Sequence, residues 1–592
     1  VRGMHHLRYI LAALLIAGLP YLAPNDYYLH MAQDIAMVAI AAIGLNILLG
    51  LSGQLSLGQA GFFALGGYGS GILATNYGWP LWASIPVGIA VAAVAGVLIG
   101  LVALRARTHY LAMATLAFGL IVEILAQRWV DLTGGSMGLI GVPQLNLGDF
   151  ANGSLYFFWI VAGTLLVVQM LNDYLMQSHQ GRVLHSIRES ESFAQTVGIN
   201  AAVWRAGVFV AAAVLAGISG IFFVHQSGYV SSDAFGLDRS IALLIAVVIG
   251  GLGRQYGPLV GAVVVILLNQ FIADLYEYAM FIFGGILLGV MLFFPGGAVG
   301  MFEMAFGRFR RAADRESDRP SGERPAPRHF TRTASAGDGP VLELEGVSKS
   351  YAGVVAVDTL SMAIRPGTIH ALIGPNGAGK STAINVIAGL YRANGGTIRF
   401  RGQDITELAA WRRARLGIAR TFQNLQLIRN LTVVENVMLG LREGQRSFLP
   451  GFARWLATPR FEAEEREEAM ELLRYLGIAR FADVKPGSLS YGHRKLCELA
   501  RALAQRPTLM LLDEPIAGLN DEEVREIANA IKLLRELGIT VLIVEHNMGF
   551  VMSVSDAVTV LDYGERIAQG TPEEVQRDPK VIAAYLGTEP VS

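Results

Sequence analysis

The stretch that decides the fold is TIHALIGPNGAGKST, residues 368–382. A largely apolar run, Ile369 to Ile373, reads as a buried strand. It empties into Gly374, Pro375, Asn376, Gly377, Ala378, Gly379, Lys380, Ser381 and Thr382. The pattern is G-x-x-x-x-G-K-[ST] in the setting it requires, a strand before and a helix-compatible run after. Glycines let successive backbone N–H groups close around phosphate oxygens, and the positive end of the helix adds to the cradle. Lys380 is placed to reach the terminal phosphates, and the Ser381 hydroxyl is a candidate ligand for Mg²⁺.

Downstream and just upstream, the same alternation continues. VLELEGV (341–347), TLMLLDE (508–514) and TVLIVEH (540–546) read as strands, and 380–390 and 521–537 as helices. A mostly parallel sheet is expected from residue 341 to the end, with ligand loops at the carboxyl ends of its strands.

The other half of the chain has a different composition. Of the 47 Lys and Arg and 48 Asp and Glu residues, only 23 precede residue 306. Apolar stretches near 9–24, 31–50, 80–104, 110–128, 154–174, 203–226, 256–273 and 278–295 are long enough to span a bilayer. Two more, 61–76 and 239–250, are shorter or rich in glycine and fit tilted, broken or re-entrant helices. The expected architecture is therefore multidomain: a polytopic all-α membrane domain of eight to ten helices at 1–306, then an α/β domain at 341–592. No small-residue cleavage site follows the run Tyr9–Leu22, so a first membrane helix is expected there rather than an export signal.

Arg105, Arg107, Arg182, Arg188, Arg205, Arg308, Arg310 and Arg311 mark ends expected on the cytoplasmic side, and a basic amino terminus on that side favours an even number of crossings. Between the domains, residues 307–340 are charged, proline-bearing and almost free of aliphatic residues, which suits a flexible tether. The net charge of −1 gives no sign of a nucleic-acid surface. The single cysteine, Cys497, excludes an internal disulfide and a cysteine-rich metal site.

Beyond the phosphate loop, residues 341–589 resemble the ATP-binding domain of ABC transporters, which has an α/β P-loop core with a helical subdomain. The resemblance rests on six motifs in order: Tyr351, the phosphate loop, Gln423 in RTFQNLQL, LSYGHRK (489–495), LMLLDEP (509–515) and His546 after TVLIVE. It implies ATP and Mg²⁺ as cofactors. Tyr351 would stack on adenine, and Ser381, Gln423 and Asp513 would face the metal. Glu514 would orient or deprotonate the attacking water, with Gln423 and His546 completing the catalytic set. Ser490 and Gly492 would cap nucleotide bound to a partner's phosphate loop, so hydrolysis would need two such domains. LSYGHRK resembles the family's signature motif, from whose general form Tyr491 and His493 depart, as Asn520 does in AGLN from the usual form of that loop; the first and last suit the branched-chain amino acid subfamily.

About residues 30–305 resemble permeases of the branched-chain amino acid uptake family. The carriers are LNILLGLSGQLSLGQAGFFALGGY (45–68), HYLAMATLAFGLIVEI (109–124), LTGGSMGL (132–139), GRVLHSIRESESFAQTVGI (181–199) and VVIGGLGRQYGPLVGA (247–262). The charged 181–199 stretch between two spans suits a coupling helix docking near the Gln423 loop. Ser52, Gln54, Ser56 and Gln59 are candidates to line a path, and Asp34, Glu123 and Asn269 are weaker ones.

The resemblance implies an ATP-driven importer in the inner membrane, served by an extracytoplasmic solute-binding protein. A second permease and a second, paralogous ATPase would complete it. Leucine, isoleucine or valine is the expected cargo; urea, short amides and other small carboxylates are alternatives. An exporter would need about six long helices reaching far into the cytoplasm, which short loops oppose. A non-transporting ATPase would not need eight spans.

Overall fold

The computed structural model describes residues 2–22, 25–104, 108–144, 153–272, 278–293, 296–300, 326–328, 339–441 and 458–586. The chain forms two compact units, one of residues 1–184 and 202–315, the other of 185–201 and 316–592.

In the first unit, helices occupy all ten apolar stretches: Arg2–Leu22, Asp26–Leu45, Gln59–Asn76, Leu81–Ala103, Thr108–Arg128, Gly153–Gln177, Ala201–Ser227, Leu237–Gly250, Gly257–Ile272 and Ala279–Phe293. Five of the described helices are long and apolar enough to cross a membrane, running Asp26–Leu51, Leu81–Ala103, Tyr110–Arg128, Leu155–Gln177 and Ala201–Ser227. Small residues let helices touch: a Cβ on Gly220 would overlap the Phe63 carbonyl of a neighbouring helix.

The second helix ends in a wider π turn, Asn46–Leu51, and the chain then runs irregularly until Gln59. Side chains satisfy part of that broken backbone, as buried non-helical chain requires. Thr115 Oγ1 accepts from Leu57 N at 3.0 Å, Ser240 Oγ from Ala60 N at 3.0 Å, and Ser52 Oγ donates to Leu48 O at 2.6 Å. Elsewhere Asp173, buried, accepts from Tyr9, from Gln169 Nε2 at 2.6 Å and from Arg8 and Tyr256 at 3.4 Å each.

The described residues of the second unit include ten strands: β1 Leu342–Tyr351, β2 Val354–Ile364, β3 Ile369–Ile373, β4 Gly395–Phe400, β5 Gln403–Asp404, β6 Ile418–Arg420, β7 Leu509–Asp513, β8 Thr540–Val544, β9 Ala557–Asp562 and β10 Glu565–Gly570. Six form a sheet in the order β10-β9-β3-β8-β7-β6, parallel except at the β9–β10 pair. β3, β7 and β8 are buried along their whole length, as continuous apolar strands covered on both faces should be. The expectation of one sheet is incomplete: β2-β1-β4-β5 make a second, antiparallel sheet. Its apolar residues, among them Leu342, Leu344 and Ile398, pack in one core with Ile384 and Ile387 of the phosphate-loop helix.

Two further differences concern the connections. The 181–199 stretch is two helices, His179–Glu189 and Glu191–Thr196, broken at Ser190. Ser190 is extended and caps the second helix by accepting from Phe193 N at 3.2 Å, which is why the first cannot run through it. Arg105, Arg107, Arg308, Arg310, Arg311 and nearly all of the 307–340 tether lie outside the described residues. Within the tether, Pro327 is buried, and Arg328 pairs with Glu471 at 3.2 Å on the helix Thr458–Tyr475.

Candidate nucleotide site and docking segment

Gly374, Gly377 and Gly379 all take positive φ in the loop that follows β3. At Gly379 the requirement is double, since φ is 95° and a Cβ would overlap the Ala356 carbonyl. Ala378 is buried, whereas Asn376 and Gly377 face solvent. Pro375 and Gly374 present their carbonyls to Lys380 Nζ at 2.8 Å each. Burial pushes the Lys380 ammonium below its ordinary range, against the pull of Glu514, Asp513 and Glu545. Ser381 is exposed on the first turn of the helix Lys380–Ile387, beside Thr382. The phenol of Tyr351 interacts with the Thr382 side chain.

Tyr351 stands at the end of β1 and is 41% exposed. Its ring meets Tyr391 edge-on at 5.8 Å, and Lys349 Nζ lies 5.1 Å from its centroid. Tyr391 was not among the sequence candidates. It lies in no motif, and only the fold brings it to Tyr351.

The acidic pair closes the other side. Asp513 ends β7, buried, and its Oδ2 receives Arg420 Nη2 at 2.9 Å. Its Oδ1 is buried with no hydrogen-bond partner among the described residues. Burial raises the Asp513 carboxyl above its usual range, with Arg420 opposing. The buried, orphaned carboxylate oxygen of Asp513 and the exposed Ser381 hydroxyl on the first turn of the phosphate-loop helix are the kind of oxygen donors a hard divalent cation takes. Glu514 follows with φ 44°, a strained backbone held by its N–H bond to Val544 O at 2.9 Å. Gln423 Nε2 donates to Glu514 Oε2 at 2.9 Å, and His546 Nδ1 is 4.0 Å from Glu514 Oε1. The fully buried Glu545 orients the turn that carries His546, accepting from His546 N at 3.0 Å and Ile516 N at 3.2 Å. Gln423, Glu514, His546 and the phosphate loop thus converge, as their spacing along the sequence could not show.

The signature lies apart. Ser490 caps the helix Tyr491–Ala504, and its hydroxyl meets His493 Nδ1 at 2.9 Å. The His493 ring packs on Phe481 at 4.7 Å, which accounts for histidine at this position. Gly492 N donates to Glu523 Oε1 at 3.0 Å; Glu523 also completes a capping box with Asn520. The asparagine in AGLN is therefore a helix cap.

Residues 185–201 fold with this unit. Glu189 accepts from Arg429 N at 3.3 Å, and Arg415 Nε donates to Gly198 O at 3.0 Å. The Arg501 guanidinium lies 3.8 Å from the Phe193 ring centroid, with Phe193 buried.

Three family models match: branched-chain amino acid transport system / permease component over residues 27–291, ABC transporter over 357–517, and branched-chain amino acid ATP-binding cassette transporter over 565–591. A relative from Pseudomonas aeruginosa, the high-affinity branched-chain amino acid transport ATP-binding protein BraF, is 40% identical over 250 residues, 42% of this chain and 98% of the relative. The corresponding Escherichia coli K12 protein, LivG, is 38% identical over 252 residues, with 42% and 98% covered. A solved nucleotide-free ATP-binding cassette from an ABC transporter is 35% identical, covering 42% of this chain and 100% of that one, with TM-score 0.38.

Proposed function

Because the chain belongs to the branched-chain amino acid family of ABC transporters, as a permease and an ATPase in one polypeptide, we propose that it imports leucine, isoleucine or valine across the inner membrane. The ATPase binds ATP and couples its hydrolysis to transport. The observation that carries the reading is the occurrence of both family matches, permease and cassette, on a single chain.

In this reading residues 1–306 are the permease, 307–340 the tether and 341–592 the cytoplasmic ATPase. Tyr351 stacks on adenine, and Gly374 to Thr382 hold the phosphates, with Lys380 neutralising charge on the terminal two. Asp513, Ser381 and Gln423 hold Mg²⁺, which when bound stabilises charge that develops on the transferred phosphoryl group. Glu514 takes a proton from, or aligns, the attacking water; Gln423 fixes its carboxylate, and His546 faces the γ-phosphate. Ser490 and Gly492 cap nucleotide on a partner ATPase, so a second permease and a second ATPase complete the machine. A solute-binding protein delivers cargo outside, and nucleic acid has no part.

Gln59 supports a polar path through the permease: it is fully buried, and among the described residues neither of its amide atoms has a hydrogen-bond partner. The segment at 185–201 supports coupling, since it lies between two spans in sequence yet folds with the ATPase. The substrate is tested by ATPase stimulation of the assembled complex. Leucine presented on its binding protein should raise turnover, and stimulation by urea or acetamide instead would reassign the cargo.

A further inference from the structure

The signature helix carries three charged residues on one stripe, Lys495, Glu498 and Arg501, spaced three apart. All three are buried, at 5%, 1% and 2% exposure. Charge at such depth is costly unless every group is spoken for. Here all three bond the backbone of one loop, with Glu498 Oε2 left buried and without a hydrogen-bond partner among the described residues. Lys495 Nζ donates to Gln423 O at 3.2 Å, and Phe422 N donates to Glu498 Oε1 at 3.3 Å. Arg501 Nη1 donates to Gln426 O at 2.6 Å, with its Nη2 at 3.6 Å from Glu498 Oε1. Backbone partners fix where the loop runs, and Gln423 within it reaches Glu514.

One face of the Arg501 guanidinium is covered by a residue distant in sequence. The Phe193 ring covers the guanidinium at 3.8 Å, in the middle of the docking segment. Desolvated ring-on-guanidinium contacts are among the stronger of their kind, and the planar fork lets Arg501 stack and donate at once. Phe193 is itself fixed by Ser190, which caps its helix turn.

We infer that the Phe193–Arg501 stack, continued through Glu498 and Lys495 to the backbone of residues 422–426, is the pin by which the docking segment and the catalytic loop move together. Phe193 and Arg501 are thereby positioning residues for coupled transport. The inference rests on the importer reading above and adds to it the pair that transmits the motion. Docking by apolar burial alone would be indifferent to a ring's π-face; the pin is not.

The test is Phe193→Leu, which keeps an apolar side chain and removes the ring. Assembled complexes of the full chain are compared in proteoliposomes for leucine imported per ATP hydrolysed. A fall of at least tenfold in that ratio is expected, with the aromatic variant Phe193→Trp retaining more than Phe193→Leu; an unchanged ratio in Phe193→Leu overturns the pin. Hydrogen exchange on the full chain gives a second readout that needs no transport. The amides of residues 422–426 should exchange at least tenfold faster in Phe193→Leu, and unaltered protection there contradicts the inference. Should the wild type import nothing, the importer reading fails, and exchange at 422–426 alone decides for or against the pin.

Discussion

Arg420 holds Asp513 at 2.9 Å in a site where both side chains are nearly fully buried. The guanidinium also donates to Asn385 Oδ1 at 2.7 Å, so it links β6, the phosphate-loop helix and the acidic pair at the end of β7. It occupies one oxygen of Asp513 and leaves the other without a hydrogen-bond partner among the described residues. Removing one partner of a buried pair strands the other, at about 3–5 kcal/mol. Arg420→Met should therefore lower the thermal stability of the ATPase in the detergent-solubilised full chain when no divalent ion is present. Mg²⁺ with ATP should restore part of the loss. A melting temperature insensitive to both the substitution and Mg²⁺ would contradict this role for Arg420.

Glu514→Gln should bind ATP with near-normal affinity and lose turnover by about 10²-fold or more, the usual contribution of a placed general base. The amide still accepts from Gln423, so the surrounding geometry is kept. Equilibrium nucleotide binding and phosphate release measured together check this; normal turnover would remove Glu514 from the catalytic set.

His370, in β3, is buried with Nε2 at 2.8 Å from Thr559 Oγ1, and burial pushes its imidazole down to about 4. An unfolded histidine titrates near about 6.5. Between these values the unfolded chain binds the extra proton, so stability is full above about pH 6.5 and falls as the pH drops towards 4. The loss amounts to about 3 kcal/mol. Comparing the ATPase melting transition at neutral and mildly acidic pH should show the drop in wild type and a smaller one in His370→Gln. Equal drops would mean that other groups carry the acid sensitivity.

Asn520→Ala should cost about 1 kcal/mol through loss of the cap, and Asn520→Asp should recover it. Because Glu523 bridges this cap to Gly492 N, Glu523→Ala should also loosen the signature turn. Faster amide exchange at residue 492 in Glu523→Ala, with Asn520→Asp unaffected, is the expected pattern. Unchanged exchange at that amide would show that the bridge does not hold the signature.

Much of this site is legible in the sequence because the motifs are local. The phosphate loop needs its glycines, lysine and serine in consecutive order, and the acidic pair needs a buried strand directly before it. Arg420, Tyr391, Lys495, Glu498 and Arg501 were not legible. Their partners lie far along the chain, as with Arg420 and Asp513, and a charged stripe on an amphipathic helix ordinarily reads as a solvated face. The antiparallel sheet escaped for a related reason, since alternation identifies a strand without naming its neighbour. The docking segment was legible as a charged interlude between spans, yet its break at Ser190 depends on a single hydroxyl choosing to cap rather than continue.

The most direct test of the account is ATP-driven uptake by the assembled complex in proteoliposomes supplied with the cognate binding protein. Labelled leucine should accumulate against its gradient when ATP is present on the ATPase side, and accumulation should vanish in Glu514→Gln. Leucine uptake that is equal with and without ATP, or undiminished in Glu514→Gln, would contradict it.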